Sequence, residues 1–436
     1  MNNQKKTNTS WGNNIKTFPK IFYPKNNLDI LRIFQNKKNF VIQGNRRSYG
    51  DVCLNKKNVI SAKKLNKIIH FDKKKGVIKV QAGVLLKDLL EHIIPFGWFI
   101  PTTPGTKYVT IGGMIANNIH GKNVKKNLIK YYIKNIRLIK TNKKIITCSS
   151  KKNKKIFDLT VGGFGLTGFI INANIQLKKI SSQIIDQKII EFKNYDEFYK
   201  IYKKNSFHEY AVSWLESFDN NKIKGLHFFG NHSKIKDKKK IKFKEKKIIF
   251  FQFLILKIFI KNYYLSKIMN LIFKYYKKFF YQKNSNINNF FYPQDHLLNW
   301  NKAYGSDGFF QIQFIVEKNN FENLLNDFST FFKKKMIYSC FIVIKKLNEK
   351  GKFLNYFGDG YSISFDFPVD KNFETLKKYL NQMIKKYNLR INLSKDLITE
   401  KNNINTLKEY STFCKNIKFL NKNKKLNSIF SDRLGF

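Results

Sequence analysis

The stretch Pro101–Asn123, PTTPGTKYVTIGGMIANNIHGKN, constrains this chain more than any other. Two prolines bracket a Thr-Thr pair and Gly105 follows. Then come the doublet Gly112-Gly113 and a polar cluster of Asn117, Asn118, His120, Gly121, Lys122 and Asn123. Glycine at this density lets a backbone turn tightly and approach a ligand closely, and successive N–H groups in such turns form anion-binding nests. A lone Gly-Gly is ordinarily a pair of turns in a β-rich core. Two further glycine stretches change that reading: Gln43–Asp51, QGNRRSYGD, upstream and Val161–Gly168, VGGFGLTG, downstream. Three such segments imply one long, phosphate-bearing ligand lying across several loops.

The segments between them read as short elements. Phe40–Gln43 is a buried strand entering the first glycine loop, and Lys67–Phe71 with Val77–Gln81 form a hairpin about Lys75-Gly76. Leu85–Ile94 places leucines at helical spacing and is ended by Pro95 and Gly97. Ile136–Lys140 and Lys144–Thr147 read as a second hairpin, and Phe169–Leu177 as a strand. Gly163, Gly165 and Gly168 spell G-x-G-x-x-G, but a dinucleotide fingerprint needs a strand before it and a helix after it. Here β-favouring residues follow, so the motif is a decoy for NAD, although its glycines remain free to touch another cofactor. Beyond Lys178, alternation predicts strands at Ser181–Ile190, Glu209–Ser217, Tyr292–Val316 and Tyr361–Pro368. Gln311 shares a face with Gln313, and Ser362 with Ser364.

A chain of 436 residues exceeds one ordinary core and suggests two domains. Its formal charge of +54 raises the question of nucleic acid. The lysines run through the whole chain, however, and arginine occurs only at 32, 46, 47, 137, 390 and 433. Base reading and bidentate phosphate contacts favour arginine, so the composition argues against nucleic acid and for a general attraction to anionic surfaces. Cys53, Cys148, Cys340 and Cys414 form no C-x-x-C pair and read as reduced, intracellular thiols. The seven histidines show no metal-ligand spacing, and the polar N-terminus carries no signal-peptide pattern.

Lys234–Lys247 is a dense lysine run leading into Ile248–Phe280. In that segment Phe251, Leu254, Ile255, Ile258 and Phe259 share one helical face, and Leu265, Ile268, Met269, Ile272 and Tyr276 continue it. Lys257 and Lys261 leave no apolar run of the roughly 18–20 residues a membrane span requires. A basic amphipathic segment of this kind predicts binding at an anionic membrane surface; periodicity alone serves equally well for helices packed on a domain core.

RSYGD, PTTPG with TIGGMIANNIHGKN, TVGGFGLTG, WNKAYG with FFQIQF, SFDFP and the terminal SDRLGF together resemble the FAD-dependent oxidases of the vanillyl-alcohol oxidase group, in its branch acting on polyprenylphosphoryl ribose. The resemblance spans nearly the whole chain, in order. It implies an α+β fold with a bipartite FAD-binding domain, residues 1–178 completed by 390–436, and an antiparallel-sheet substrate domain over 179–389. It implies cofactor contacts at Gly44, Arg47, Ser48, Tyr49 and Gly50, then at Pro104, Gly105, Thr110, Gly112, Gly113, Asn117 and His120, and at Gly163, Gly165 and Gly168. Lys122, Trp214, Gln313, Lys345, Ser364 and Lys395 match substrate-side positions, and Lys395, His120 and Tyr49 are the implied catalytic residues. No metal is implied. The first loop holds no histidine, so FAD is expected to be non-covalent. Arg46 stands where a glycine is common, Ser364 where some members carry cysteine, and Asn392 where an aromatic lies near the flavin edge.

The implied reaction is oxidation of the 2-hydroxyl of a polyprenylphosphoryl-β-D-ribose to a 2-keto intermediate. An NAD(P)H-dependent short-chain reductase then converts it to the arabinose epimer. The expected location is cytoplasmic, peripheral to the inner membrane. Two other classes compete: a soluble sugar, alditol or aldonolactone oxidase on the same scaffold, and a non-catalytic lysine-rich binder of anionic surfaces. Activity on water-soluble polyols marks the first, and a colourless purified protein the second.

Overall fold

The computed structural model describes residues 7–436 except 37, 220, 236, 238–240, 244, 245, 248, 249 and 340, and the backbone alone for 246, 247 and 250–254. Cys340, parts of the Lys234–Lys247 run, and the side chains of Phe251 and Leu254 therefore lie outside the described residues. The fold is α+β, built on three main sheets. A small parallel sheet aligns Lys20–Phe22, Asn58–Ser61 and Phe40–Gln43 in that order. A five-stranded antiparallel sheet runs Ile145–Cys148, Ile133–Ile139, Phe169–Gln176, Val77–Gln81, Ile68–Asp72. The helix Leu86–Ile93 buries Leu86, Leu89, Leu90 and Ile93 in the core of that sheet. The C-terminal segment returns to the parallel sheet, where Leu426 bridges Phe40 and Asn427 O accepts from Asn55.

The largest sheet has eight strands in the order 284–286, 184–192, 222–232, 210–219, 342–349, 358–368, 309–316, 390–391. One of its faces is apolar: Phe310, Ile312, Phe314, Ile363, Phe365 and Phe367 pack against the helices Phe321–Lys335 and Phe373–Lys386. Strand alternation sends the intervening residues to the opposite face. There the register sets Trp214, Val343, Ser364 and Gln313 side by side across four strands. Lys345 lies two residues from Val343 and so joins the same face.

Two expectations about local structure change. The strand predicted over Tyr292–Val316 begins only at Phe309. Pro293 opens a short helical turn, and left-handed backbones at Asn299, Gly305 and Gly308 interrupt extended pairing. The Gly112-Gly113 doublet sits in a six-residue helix, Ile111–Ala116, rather than in a turn. Thr110 caps it by accepting the Gly113 N–H at 3.2 Å, and Ile111, Met114 and Ile115 bury at helical spacing. Glycine is required at 112 because a Cβ there would lie 2.8 Å from Ala82 Cβ. The decoy motif is preceded by the helix Lys154–Thr160 and followed by the strand Phe169–Gln176, the reverse of a dinucleotide fingerprint.

Candidate active site

The three glycine segments converge on one cleft enclosing about 1580 Å³ with its open mouth. Its walls include Gly44, Arg47, Ser48 and Tyr49 from the first loop, and Pro104, Gly105, Thr110, Gly112, Gly113, Asn117 and His120 from the central stretch. Gly165 and Gly168 contribute from the third segment, and Lys345 and Lys395 from the large sheet and the C-terminal tail. A Cβ added at Gly105 or Gly165 would meet nothing, so both keep the floor open.

Gly50 and Gly163 do not line the cleft. A Cβ at Gly50 would lie 1.8 Å from Asp396 O, and one at Gly163 would lie 1.9 Å from Leu159 O, so both serve close backbone packing. Lys122, Trp214, Gln313 and Ser364 are also absent from its wall. Lys122 Nζ donates to Phe290 O, and Trp214 packs edge-on against Phe273 at 4.8 Å. Gln313 stands directly behind His120, and Ser364 neighbours Gln313 across the strands.

The polar groups around the cleft are unevenly satisfied. Arg47 Nε, Asn117 Oδ1, Asn118 Nδ2 and His120 Nδ1 are buried with no hydrogen-bond partner among the described residues. Orphans of this kind, gathered on one open cradle, are what a bound polar ligand satisfies. The Arg47 guanidinium lies 3.9 Å from the Trp11 ring centre and 5.0 Å from that of Tyr108. Burial lowers its pKa, opposed by Asp295, whose carboxylate accepts from Lys107 N at 2.7 Å. A cation held between two rings and facing the cleft suits a phosphate group. Arg46 takes a left-handed backbone, φ 56°, at the position where glycine is common, and its side chain also lines the cleft.

At the sheet end the chemistry differs. His120 Nε2 lies 3.2 Å from Gln313 Oε1, which also accepts from Asn392 Nδ2 at 2.9 Å, while Gln313 Nε2 donates to Ser362 Oγ at 2.9 Å. With Oε1 as acceptor, Nε2 carries the imidazole proton and Nδ1 keeps its lone pair. Burial, then Lys345 and Lys395, hold the His120 pKa well below its usual value, so the ring is neutral. Burial lowers Lys395 to about 8 against the pull of Asp366. Lys345 is lowered strongly by burial and by Lys395 and Lys122, and Lys122 falls to about 7 through burial and Lys277. Burial pushes Asp366 up to about 7, where it accepts from Gln311. Burial and Asp366 keep the Tyr49 phenol protonated, and the Lys395 ammonium lies 5.5 Å from its ring centre.

Sequence reading missed Trp11, Asp295, Asp366 and the clamp that holds the Lys395 loop. In that clamp Arg433 Nε and Nη2 reach the two Asp51 carboxylate oxygens at 2.9 and 3.0 Å, and Nη2 reaches Asp396 Oδ2 at 3.1 Å. Asp295 was visible as an isolated acid in YPQDH; Trp11, in a polar N-terminal stretch, carried no signal. Among the described residues, no group of three or more His, Cys, Asp or Glu is placed to hold a metal.

Comparison with known proteins agrees with this geometry. Residues 21–149 match the FAD binding domain family. Over 374 residues the chain is 28% identical to decaprenylphosphoryl-β-D-ribose oxidase of Mycolicibacterium smegmatis, covering 82% of this chain and 80% of that protein. It is 28% identical over 164 residues to D-lactate dehydrogenase of Anaerostipes hadrus, covering 36% of this chain and 34% of that protein. It is 25% identical over 173 residues to L-gulonolactone oxidase of Mus musculus, covering 38% and 39%. Those two matches span well under half of the relatives concerned. An open cradle ringed by orphan polar atoms, an FAD-binding match over its first two segments and a relative aligned along most of the chain lead to one conclusion: this is an FAD-dependent oxidoreductase acting on CH–OH groups, with an α+β fold like that of the vanillyl-alcohol oxidases.

Proposed function

We propose that the chain oxidises the 2-hydroxyl of a polyprenylphosphoryl-β-D-ribose to the 2-keto sugar, an intermediate on the way to the arabinose epimer. The observation that carries this reading is the lysine-lined end of the cleft, where burial and mutual repulsion draw the lysine pKa values down and an anion would restore their charge. Lys345 and Lys395 line it with Lys122 behind them, and their shifts name Asp366 as the one opposing acid. Half-buried lysines without matching acids favour an anionic substrate, and a phosphate-linked sugar supplies that charge where a neutral lactone does not. The likeness to the ribose oxidase along most of the chain supports the same choice.

In this reading residues 1–178 with 390–436 hold the cofactor and 179–389 form the substrate domain. Gly44, Arg47 and Ser48 hold the pyrophosphate of FAD, and Gly105, Thr110, Gly113 and Asn117 continue the cradle. FAD, when bound, would supply the two-electron acceptor for the hydride of the carbinol carbon, and the hydroxyl proton would pass to the unpartnered Nδ1 of His120. His120, neutral and with Nδ1 free, accepts the hydroxyl hydrogen bond and orients that carbon. Lys395, cationic below about pH 8, meets the negative charge that builds during transfer. Tyr49 stays protonated as a donor in the wall. An NAD(P)H-dependent short-chain reductase consumes the keto product. Because a polyprenyl tail leaves lipid only at high cost, the enzyme works peripherally, at the cytoplasmic face of the inner membrane.

Anaerobic mixing with a short-chain prenylphosphoryl ribose is expected to bleach the flavin absorbance, and mixing with L-gulonolactone is expected to leave it. Bleaching by the lactone alone overturns the reading in favour of a soluble lactone oxidase. The cofactor is expected to be held without a covalent bond. Acid precipitation of the yellow protein then releases the chromophore to the supernatant, and colour retained in the pellet contradicts this.

A further inference from the structure

The helices Phe250–Lys261 and Tyr263–Phe279 form a pair joined at Asn262, whose side chain caps the second helix by accepting from Tyr264 N and Leu265 N. The second helix is inverted relative to a helix of a soluble domain. Its buried stripe is polar: Ser266, Asn270 and Lys274, spaced one turn apart. Asn270 donates to Glu216 O and Tyr338 Oη at 3.0 and 2.9 Å, and Lys274 donates to Glu216 Oε1 at 3.0 Å. Its outer surface is apolar and aromatic. Ile272 is 58% exposed, Tyr275 59% and Phe279 84%, with Ile268, Leu271 and Tyr276 beside them. The core-capping alternative puts the apolar side inward; the structure turns Met269 and Phe273 in, and puts Ile268, Leu271, Ile272, Tyr275, Tyr276 and Phe279 outward. Contiguous exposed apolar surface of this extent marks a binding face.

We infer that this outer face docks the enzyme on an anionic lipid bilayer. Residues 250–283 carry seven lysines and no Asp or Glu; Lys274 and Lys278 pair with Glu191 and Glu216 of the large sheet, and the other five, Lys257, Lys261, Lys267, Lys277 and Lys283, leave the segment cationic. That composition matches an interfacial helix whose apolar side enters the headgroup boundary while lysines meet lipid phosphates. A second copy of this chain is a poor occupant, because it brings another +54 of formal charge against the same lysines. The pair also abuts the cleft. Ile260 of the first helix is buried with Ala303, Tyr304 and Phe309, and Tyr49 and Trp300, which line the cleft, pack on that cluster. The helix pair and the cleft wall therefore meet at one shared cluster, which brings a surface-bound lipid substrate near the site. Among the described residues no helix is long and apolar enough to cross a membrane, so attachment by this pair is peripheral.

The inference deepens the proposed lipid-linked reading, and its test stands apart from turnover. The full-length, FAD-loaded protein is floated with vesicles of equal parts phosphatidylglycerol and phosphatidylcholine. It is expected to rise with them, and to do so less at high salt. The variant Ile272→Ser/Tyr275→Ser/Phe279→Ser, altered only at exposed positions, is expected to keep its flavin spectrum and lose about tenfold or more in partitioning. Phe279→Glu provides a single-site check at the most exposed of these residues. Parental flotation of both variants overturns the inference. So does a parent that stays at the bottom, or a dimer that these variants dissolve without any vesicle binding. Flavin bleaching by the short-chain prenylphosphoryl ribose is read separately: its absence in a parent that floats rejects the substrate and leaves the docking face standing.

Discussion

Replacing Lys395 by alanine is expected to slow flavin reduction by substrate about 10²- to 10³-fold while FAD stays bound. The ammonium is half-buried on the cleft wall, 5.5 Å from the Tyr49 ring centre, and burial draws its pKa down to about 8. A charge in that setting interacts weakly with a neutral reactant and strongly with one that is gaining negative charge, so its loss falls on the barrier rather than on binding. Unit charges about 4 Å apart at an effective dielectric near 20 interact by about 4 kcal/mol, which sets the upper end of the effect. The sign of the pH dependence follows. Lys395 is charged below its pKa, so its assistance is complete at lower pH and fades as pH rises through about 8. The parental reduction rate is expected to fall on that limb, and Lys395→Ala is expected to lack it. Anaerobic stopped-flow across this range decides the matter: a variant that reduces at the parental rate, or retains the limb, takes Lys395 out of the mechanism.

Arg433→Ala is expected to cost about 3–5 kcal/mol of stability, because it strands two buried carboxylates rather than merely deleting a contact. Asp51 and Asp396 are about 1% exposed, and both depend on the one guanidinium. Asp396 Oδ1 additionally accepts from the Ile398 and Thr399 amides at 3.1 and 3.0 Å, which ties the turn after Lys395 to the clamp. Gly50 packs against Asp396 O, so the first glycine loop and the Lys395 loop are held as one piece. The denaturation midpoint of the yellow protein should drop, and FAD affinity with it. Adding Asp51→Asn to Arg433→Ala removes one stranded charge and is expected to recover part of the loss. A midpoint unchanged in Arg433→Ala shows that the clamp carries no weight.

Much of the fold was legible because it rests on local pattern. The alternation in FFQIQFIV and YSISFDFP reports a sheet with one apolar and one polar face, and the leucine spacing of Leu86–Ile93 reports a helix on a core. The glycine loops were legible as ligand-facing, but which glycines open to the cleft was not. Gly105 and Gly165 face space while Gly50 and Gly163 touch backbone that is distant in sequence or in an adjoining turn, and composition is the same in both cases. The Pro101–Asn123 stretch concealed a short helix, since burial of Ile111, Met114 and Ile115 outweighs the low helical preference of a Gly-Gly pair.

The amino-acid sequence by itself determined which segments carry chemistry: three glycine-rich loops, a lysine in the tail, a histidine in the central stretch and a cationic apolar block. Those assignments depend on residue type and short spacing, which the chain displays directly, except for the lysine, Lys395, which only the resemblance to a known family singles out among so many. Tertiary structure alone decided how they act. His120 becomes a neutral acceptor only because Gln313, 193 residues away, takes its Nε2 proton as a hydrogen bond and burial excludes the charged ring. Arg433 becomes a clamp only because the C-terminal turn meets Asp51, 382 residues earlier. The helix Tyr263–Phe279 exposes most of its apolar side because Glu216, on a strand of the large sheet, draws Asn270 and Lys274 inward. Each is a matter of burial and long-range pairing, where the cost of an unsatisfied polar group selects the arrangement and no local sequence pattern records it.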